Sequence, residues 1–237
     1  MQPLNSLLTA TILNIACLAP IYAADIPDHL FWAEELVTYI QPENNTYASQ
    51  PSLVQWQGYN NASEYSNRSV CATFVTELLK YSYNLSSNDF KTWFGSTSPN
   101  SAKYHDAIVA QNQFLALSNI HDISGGDIMA VKYPVGGSVS GHTMLVVNTP
   151  IEHTASAPII ANTLQYEVDI IDSSRSGHGR TDTRLMEDGT WNDGVGQGVM
   201  RLYTNQSGEI VGYTWSTYSN SSYYDQNTRH LVVGRLN

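Results

Sequence analysis

The pattern of apolar residues changes once along this 237-residue chain, and that change limits the folds that it can adopt. Before Gly125-Gly126 the apolar residues recur at the three- and four-residue spacing of amphipathic helices. After this pair they gather in short runs rich in Val, Ile, Met and Leu, which are typical of strands. Helices followed by an antiparallel meander predict an α+β fold, with N-terminal helices packed on an antiparallel sheet.

Three helices and six strands are expected. One helix begins at Pro27-Asp28 and runs to Ile40, and residues 41–66 are expected to form a loop. A second helix follows Ser69, and a third opens at Pro99-Asn100-Ser101 and includes Leu115 and Leu117. The predicted strands are Asp127 to Tyr133, Thr143 to Asn148, Tyr166 to Asp172, Met200 to Thr204, Glu209 to Trp215 and His230 to Leu236. The Met200 and Glu209 strands should form a hairpin, and the last strand should close the sheet.

Residues 1–24 are typical of a secretory signal peptide. An apolar core spans Leu7 to Ala19, and Ala23-Ala24 offers a cleavage site, although no Lys or Arg precedes the core. Lipid attachment at Cys17 and an uncleaved membrane anchor are the alternatives. Cleavage predicts a secreted or periplasmic protein with a single domain over residues 25–237 and no stable membrane insertion.

The composition narrows the range of partners. The formal net charge is −10, which argues against nucleic acid and anionic membrane as partners. Signal cleavage leaves Cys71 as the single cysteine, so hydrophobic packing rather than an internal disulfide must stabilise the fold. One cysteine cannot build a thiolate zinc site and no His-Glu-x-x-His motif occurs, so no metal site is expected.

Cys71 lies where a nucleophile is expected. If Ser69 caps the following helix, Cys71 occupies its first turn, where unpaired backbone N–H groups and the helix dipole favour a thiolate. The alternative is a buried thiol that packs as a small apolar side chain.

A thiol nucleophile needs a base and a residue that orients the base. His142 stands at the head of a predicted strand and is the expected base. Asp172 lies near the end of a later strand and can share a face with His142, whereas Asp169, three positions away, points to the opposite face. His178, in a Gly-rich loop, is the rival to Asp172. The sequence therefore predicts a Cys71–His142–Asp172 triad.

Four short motifs resemble those of the NlpC-type papain-like cysteine peptidases, in the same order. They are Cys71-Ala72-Thr73-Phe74-Val75, Gly126-Asp127-Ile128-Met129, Gly141-His142-Thr143-Met144-Leu145-Val146 and Ile171-Asp172-Ser173-Ser174. The resemblance covers residues 50–175. It implies a papain-like fold and cofactor-free hydrolysis of peptide or amide bonds in bacterial cell-wall peptides, such as peptidoglycan stem peptides.

The chain departs from this family's pattern in the segments expected to contact substrate. Val54-Gln55-Trp56-Gln57-Gly58 stands where the family often has Tyr-x-Trp-Gly-Gly, so Trp56 is an expected substrate contact although the usual Tyr is absent. The third triad residue is Asp where His or Asn is commoner. Residues 175–198 are unusual and are expected to be too polar for the core. Their cations, Arg175, Arg180 and Arg184, suggest a site for a carboxylate-bearing substrate, and Arg175 and His178 are the expected contacts.

Three functions are compatible with these features. The leading one is an exported cysteine peptidase or amidase. The second is a thiol-dependent acyltransferase, thioesterase or lipid amidase on the same scaffold. The third is a catalytically silent binding protein.

Overall fold

A computed structural model describes residues 26–237 of the protein. The expected signal peptide, residues 1–24, lies outside the described residues. Within them the fold is α+β, with four α-helices and a large antiparallel sheet. The helices are α1 (Asp28–Tyr39), α2 (Cys71–Tyr83), α3 (Ser87–Phe94) and α4 (Ser101–Val109). None of the helices in this part of the chain is long and apolar enough to span a bilayer.

The strands follow mostly in the second half of the chain. They are β1 (Asn45–Thr46), β2 (Leu53–Gln55), β3 (Ser66–Arg68), β4 (Phe114–Leu117), β5 (Ile128–Lys132), β6 (Gly141–Val146), β7 (Ile151–His153), β8 (Leu164–Ser174), β9 (Gly194–Thr204), β10 (Ile210–Thr214), β11 (Tyr223–Asp225) and β12 (His230–Leu236). The main sheet has the order β11-β10-β9-β8-β6-β5-β12-β4, with β7 paired to β8. The expected β9–β10 hairpin is confirmed.

The two faces of the main sheet bury different sets of side chains, because neighbouring residues of a strand point to opposite faces. The helix-side cluster lies under α1, α2 and α4, which pack against one another or against the sheet. It includes Leu36, Phe74, Leu78, Ile108, Leu145 and Ile171. The opposite cluster includes Met129, Met144, Ile170, Met200 and Tyr213.

The predicted helices begin close to where they were expected, but one of them is not capped by the expected residue. α1 begins directly after Pro27, and Asn100 caps α4 by accepting the Lys103 N–H at 3.1 Å. The prediction that Ser69 caps α2 is wrong. Val70 holds the cap position without a side-chain hydrogen bond, because the Ser69 hydroxyl donates to Asn67 Oδ1 at 2.5 Å. Cys71 nevertheless occupies the first helical position.

Several expectations for less regular segments are wrong. Leu115 and Leu117 belong to strand β4, which pairs with β12, and not to a helix. The segment expected as a loop, 41–66, contains β1, β2 and the start of β3, which form a small separate sheet. β12 lies between β5 and β4 and therefore does not close the sheet.

The segment expected to be too polar for the core, residues 175–198, is partly buried: its exposed residues lie between 175 and 191, whereas most of 194–198 is buried. Residues 194–198 begin β9, one of the two longest strands, and pair with β8. Their glycines leave room for ionic side chains, since a Cβ on Gly196 would lie 2.7 Å from Nε of Arg184. Arg184 itself is buried. The polarity is tolerated because the charged groups are paired inside the protein.

Candidate active site

Cys71 lies at the start of α2 and its side chain is buried. The Phe74 N–H donates to the Val70 carbonyl at 2.9 Å, which closes the first helical turn. The N–H groups ahead of it have no partner within the helix, and that of Cys71 is among them. The start of α2 is tied to the sheet by the Ser173 hydroxyl, which donates to the Ser69 carbonyl at 2.8 Å. The thiol is therefore fixed beside the end of β8.

The structure brings His142 and Asp172 into direct contact. Nε2 of His142 donates to Oδ2 of Asp172 at 2.5 Å, and the carboxylate is fully buried. Nδ1 is then the ring nitrogen left for the thiol, and the two side chains are close enough for each to shift the pKa of the other. As expected, Asp169 points elsewhere, and its carboxylate accepts from Asn148 at 3.1 Å.

The thiol and the imidazole approach each other from opposite faces of the sheet. β6 and β8 are in register at Leu145–Ile171 and Val146–Ile170, and His142 and Asp172 lie beyond these two pairs. His142 pairs with Val131 of β5, and both side chains point to the face of the sheet that carries the opposite cluster. α2 covers the other face, the helix side. α2 packs on β6 and β8 from the helix side. The thiol reaches the imidazole where β6 and β8 part.

The electrostatics of this contact favour a thiolate–imidazolium pair. Burial by itself raises the pKa of the Cys71 thiol, but the positive charge of His142 and hydrogen bonds from His142, Ser101 and the Thr143 backbone lower it from 9.0 to about 7. Burial by itself lowers the pKa of His142, but the thiolate and Asp172 raise it to about 10. Each charged partner stabilises the other, as a nucleophilic thiol requires.

Asp172 is the centre of a buried ionic network. Its Oδ2 also accepts from Nε2 of His178 at 2.8 Å, and its Oδ1 accepts from Arg184 at 2.9 Å. Arg184 in turn makes two further bonds to Asp182, at 2.9 and 2.8 Å. Burial by itself raises the pKa of Asp172, but the charges of His178 and Arg184 and the imidazole hydrogen bonds hold it well below its usual value. Asp172 is thus kept ionised to orient His142.

His178 lies inside this network as a buried side chain. Its Nδ1 lies 2.8 Å from the Trp215 carbonyl oxygen and its Nε2 lies 2.8 Å from Oδ2 of Asp172. His178 therefore joins His142 on Asp172 instead of replacing it as the third member of the triad.

The same three residues are also the set that can hold a metal. Ligand atoms of His142, Asp172 and His178 lie within 4.8 Å of one another. However, Arg184 donates to the carboxylate, and a fixed guanidinium opposes a second cation on the same group. Both imidazole nitrogens that face Asp172 would also have to lose their protons. The arrangement therefore matches a hydrogen-bonded network better than a metal centre.

Comparison with known proteins relates the chain to a viral protein. No model of a known protein family matches the chain, and no solved structure matches it. A protein named R653 from Acanthamoeba polyphaga mimivirus, described there as uncharacterized, is 36% identical over 221 residues. The match covers 89% of this chain and 96% of the mimivirus protein. The chain belongs to the family of this mimivirus protein. The relative's name states no activity, so any function must be argued from the site.

The other expected contact residues lie in different places. Trp56 is 2% exposed, stacks on Tyr81 with ring centroids 4.2 Å apart, and donates its indole N–H to the Trp32 carbonyl at 2.8 Å. Its position under α1 and α2 leaves no free face for substrate. Arg175 is exposed and lies over the ring of Tyr47.

Four residues near the thiol and imidazole were not predicted. Ser101 Oγ, at the first position of α4, lies 3.5 Å from the Cys71 sulfur. The Trp215 ring meets His142 edge to face, with centroids 5.2 Å apart. Together with Tyr133 and His178, it lines a cavity of about 180 Å³ that reaches His142. Tyr47 lies on the helix side of the site. These contacts join distant parts of the chain, and no local pattern in the sequence indicates them.

A larger cavity lies away from the three residues. It has a volume of about 860 Å³ and is lined by residues near both ends of the described chain, such as His29 and Arg235, and by others from its middle, such as Asp127. Asp127 caps a turn, and its Oδ2 accepts the Ser124 N–H at 2.8 Å. Its carboxylate also pairs with Arg235 at 2.8 Å. The cavity contains no nucleophile–base pair, and we assign it no chemistry.

Proposed function

We propose that the protein is a cysteine hydrolase that cleaves peptide or amide bonds. The observation that supports this best is the hydrogen bond from His142 to the ionised Asp172, beside a thiol at a helix start whose pKa His142 lowers. Nucleophile, base and orienting group are then all in place.

The proposed reaction runs through a thioester. The Cys71 thiolate attacks the substrate carbonyl carbon, and the carbonyl π electrons move to the oxygen. The Cys71 backbone N–H, unpaired within α2, is placed to stabilise that oxyanion. His142 gives its proton to the amide nitrogen as the C–N bond breaks and an amine leaves. His142 then takes a proton from water, whose oxygen attacks the thioester carbon; the C–S bond breaks, which releases the carboxylic acid and restores the thiolate–imidazolium pair. No cofactor is needed.

Three further features are part of this proposal. The NlpC-type motifs favour a papain-like version of the α+β fold and a substrate related to cell-wall peptides. The apolar N-terminal segment favours secretion or export to a periplasm. An acyltransferase, thioesterase or lipid amidase would use the same thioester, and it would differ in the acyl donor or in the acceptor that replaces water.

The test compares substrate classes and variants. The wild-type protein is incubated with muropeptides, peptide amides, acyl lipids and thioesters, and the products are identified by mass spectrometry. We expect amide or peptide cleavage, and its loss in Cys71→Ala and His142→Ala. His121→Ala, at an exposed histidine, should retain the activity. Cleavage that survives Cys71→Ala would contradict the proposal, and turnover of acyl lipids or thioesters alone would favour the second class.

A further inference from the structure

We propose that Arg175 and Tyr47 form a subsite that binds a carboxylate of the substrate beside the Cys71 thiol. This inference rests on the proposed function and narrows its substrate to acidic peptides or amides. Residues 175–198 contain three arginines, Arg175, Arg180 and Arg184, and the structure gives each of them different surroundings.

The backbone places both residues next to the start of α2. The Ser69 N–H donates to the Thr46 carbonyl at 3.3 Å, so Tyr47, the next residue, follows a strand that adjoins the nucleophile's own segment. On the other side, Ser173 holds the Ser69 carbonyl, and Arg175 comes two residues later. The guanidinium of Arg175 lies 5.5 Å from the centroid of the Tyr47 ring. The two side chains therefore meet near the thiol, on the helix side of the sheet.

Arg175 adjoins the cavity that reaches His142. Its neighbours Ser174, Ser176 and Gly177 line this cavity, whereas the Arg175 side chain lies against Tyr47. A substrate that occupies the cavity would lie along this segment of the chain. A charged group on the substrate would then lie within reach of Arg175.

The charge of Arg175 is available, unlike that of Arg184. Arg184 is buried and pairs with Asp172 and Asp182, whereas Arg175 is exposed and makes no ion pair with a carboxylate among residues 26–237. A guanidinium presents planar paired donors that match a carboxylate. Because the whole chain carries a net charge of −10, an acidic substrate needs such a local cation to approach.

Tyr47 supplies a neutral donor beside the guanidinium. Burial and, to a lesser extent, the nearby Cys71 thiolate raise the pKa of Tyr47 to about 12, while Arg175 opposes the rise. The phenol therefore keeps its proton at neutral pH. The backbone of Tyr47 is held in place, since its N–H donates to Asp193 at 3.1 Å.

The test uses charge-matched thiol reagents, which require no knowledge of the natural substrate. Alkylation rates of Cys71 are measured with iodoacetate against iodoacetamide, and with 3-maleimidopropionate against N-ethylmaleimide, which place a carboxylate at two distances from sulfur. Arg175→Met should lower the anionic-to-neutral rate ratio in at least one pair by roughly three- to tenfold, because one favourable charge is lost. Arg175→Lys should restore part of it.

Arg180→Met is the matched control. Arg180 is exposed and lies over a tyrosine, Tyr218, at 5.9 Å, but it has no contact with the start of α2. Its replacement should leave both ratios unchanged. Unchanged ratios in Arg175→Met, with Cys71 still reactive, would overturn the subsite alone. A wild-type Cys71 that resists all four reagents would instead contradict the proposed function.

Discussion

At the scale of single residues, the reactivity of Cys71 depends on two opposed effects. Burial disfavours a thiolate, whereas the imidazolium, the Ser101 hydroxyl and a backbone N–H favour it. His142 contributes most to lowering the pKa of the thiol, since both its charge and its hydrogen-bonding capacity act on the sulfur. Asp172 contributes indirectly by holding the imidazole and stabilising its charge.

The pH dependence of alkylation measures this balance. The reactive thiolate forms as pH rises through the thiol pKa, so iodoacetamide should react with half-maximal rate near pH 7 in the wild-type protein. In His142→Ala the effect of burial on the thiol pKa is no longer opposed by the imidazolium. The midpoint should move upward by at least one pH unit, which lowers the thiolate fraction at pH 7 by about tenfold.

His121→Ala is the control for that measurement, because His121 is an exposed histidine away from the sulfur. Its midpoint should equal that of the wild-type protein. A wild-type midpoint near 9, or an unchanged one in His142→Ala, would show that the two side chains do not form an ion pair in solution.

At the scale of elements, the site depends on how β6 begins. Gly141 has φ of +150°, and an added Cβ would overlap the Val131 carbonyl oxygen of the paired strand β5. The next residue is the base, His142. The close approach of β5 and β6 thus sets the position of the imidazole relative to β8.

Replacement of this glycine should affect both stability and reactivity. We expect Gly141→Ala to lower the free energy of unfolding by about 2–4 kcal/mol, because the backbone of β5 or β6 must shift. The alkylation rate of Cys71 at pH 7 should fall with it, since His142 moves. Urea unfolding and alkylation kinetics measure the two effects.

Gly137→Ala is the control within the same connection. A Cβ there would find the nearest atom, the Val139 carbonyl oxygen, at 3.8 Å, so the change should be within about 0.5 kcal/mol. If Gly141→Ala were equally harmless, the pairing of β5 with β6 would not hold the imidazole in place.

The elements that carry Cys71, His142 and Asp172 could be predicted because their patterns are local. Apolar spacing indicated the helix after Val70, and short apolar runs indicated β6 and β8. β4 was mistaken for helix because its four residues are too few to show a period. Ser101 and Tyr47 could not be found, because their contacts with the site join segments that are distant along the chain.

At the scale of the whole molecule, residues 175–193 connect the two longest strands across the site. The connection was expected to be a polar surface segment, but Arg184 folds back into the protein. There it donates to Asp172, to Asp182 and, at 3.2 Å, to the Gly194 carbonyl. One buried guanidinium therefore ties the connection to the carboxylate that orients His142. Sequence could not show this pairing, because it depends on which of the three cations the fold encloses.

The buried guanidinium predicts an unequal effect of two arginine substitutions in this segment. Arg184→Met should lower the free energy of unfolding by about 3–5 kcal/mol, because Asp172 and Asp182 are left buried with one partner fewer. Arg180→Met, at the exposed cation four residues earlier, should change it by less than about 0.5 kcal/mol. Chemical unfolding at pH 7 measures both. A loss below about 1 kcal/mol for Arg184→Met would mean that water reaches these carboxylates, and Asp172 would then not be held in the dry, ionised state that orients the base.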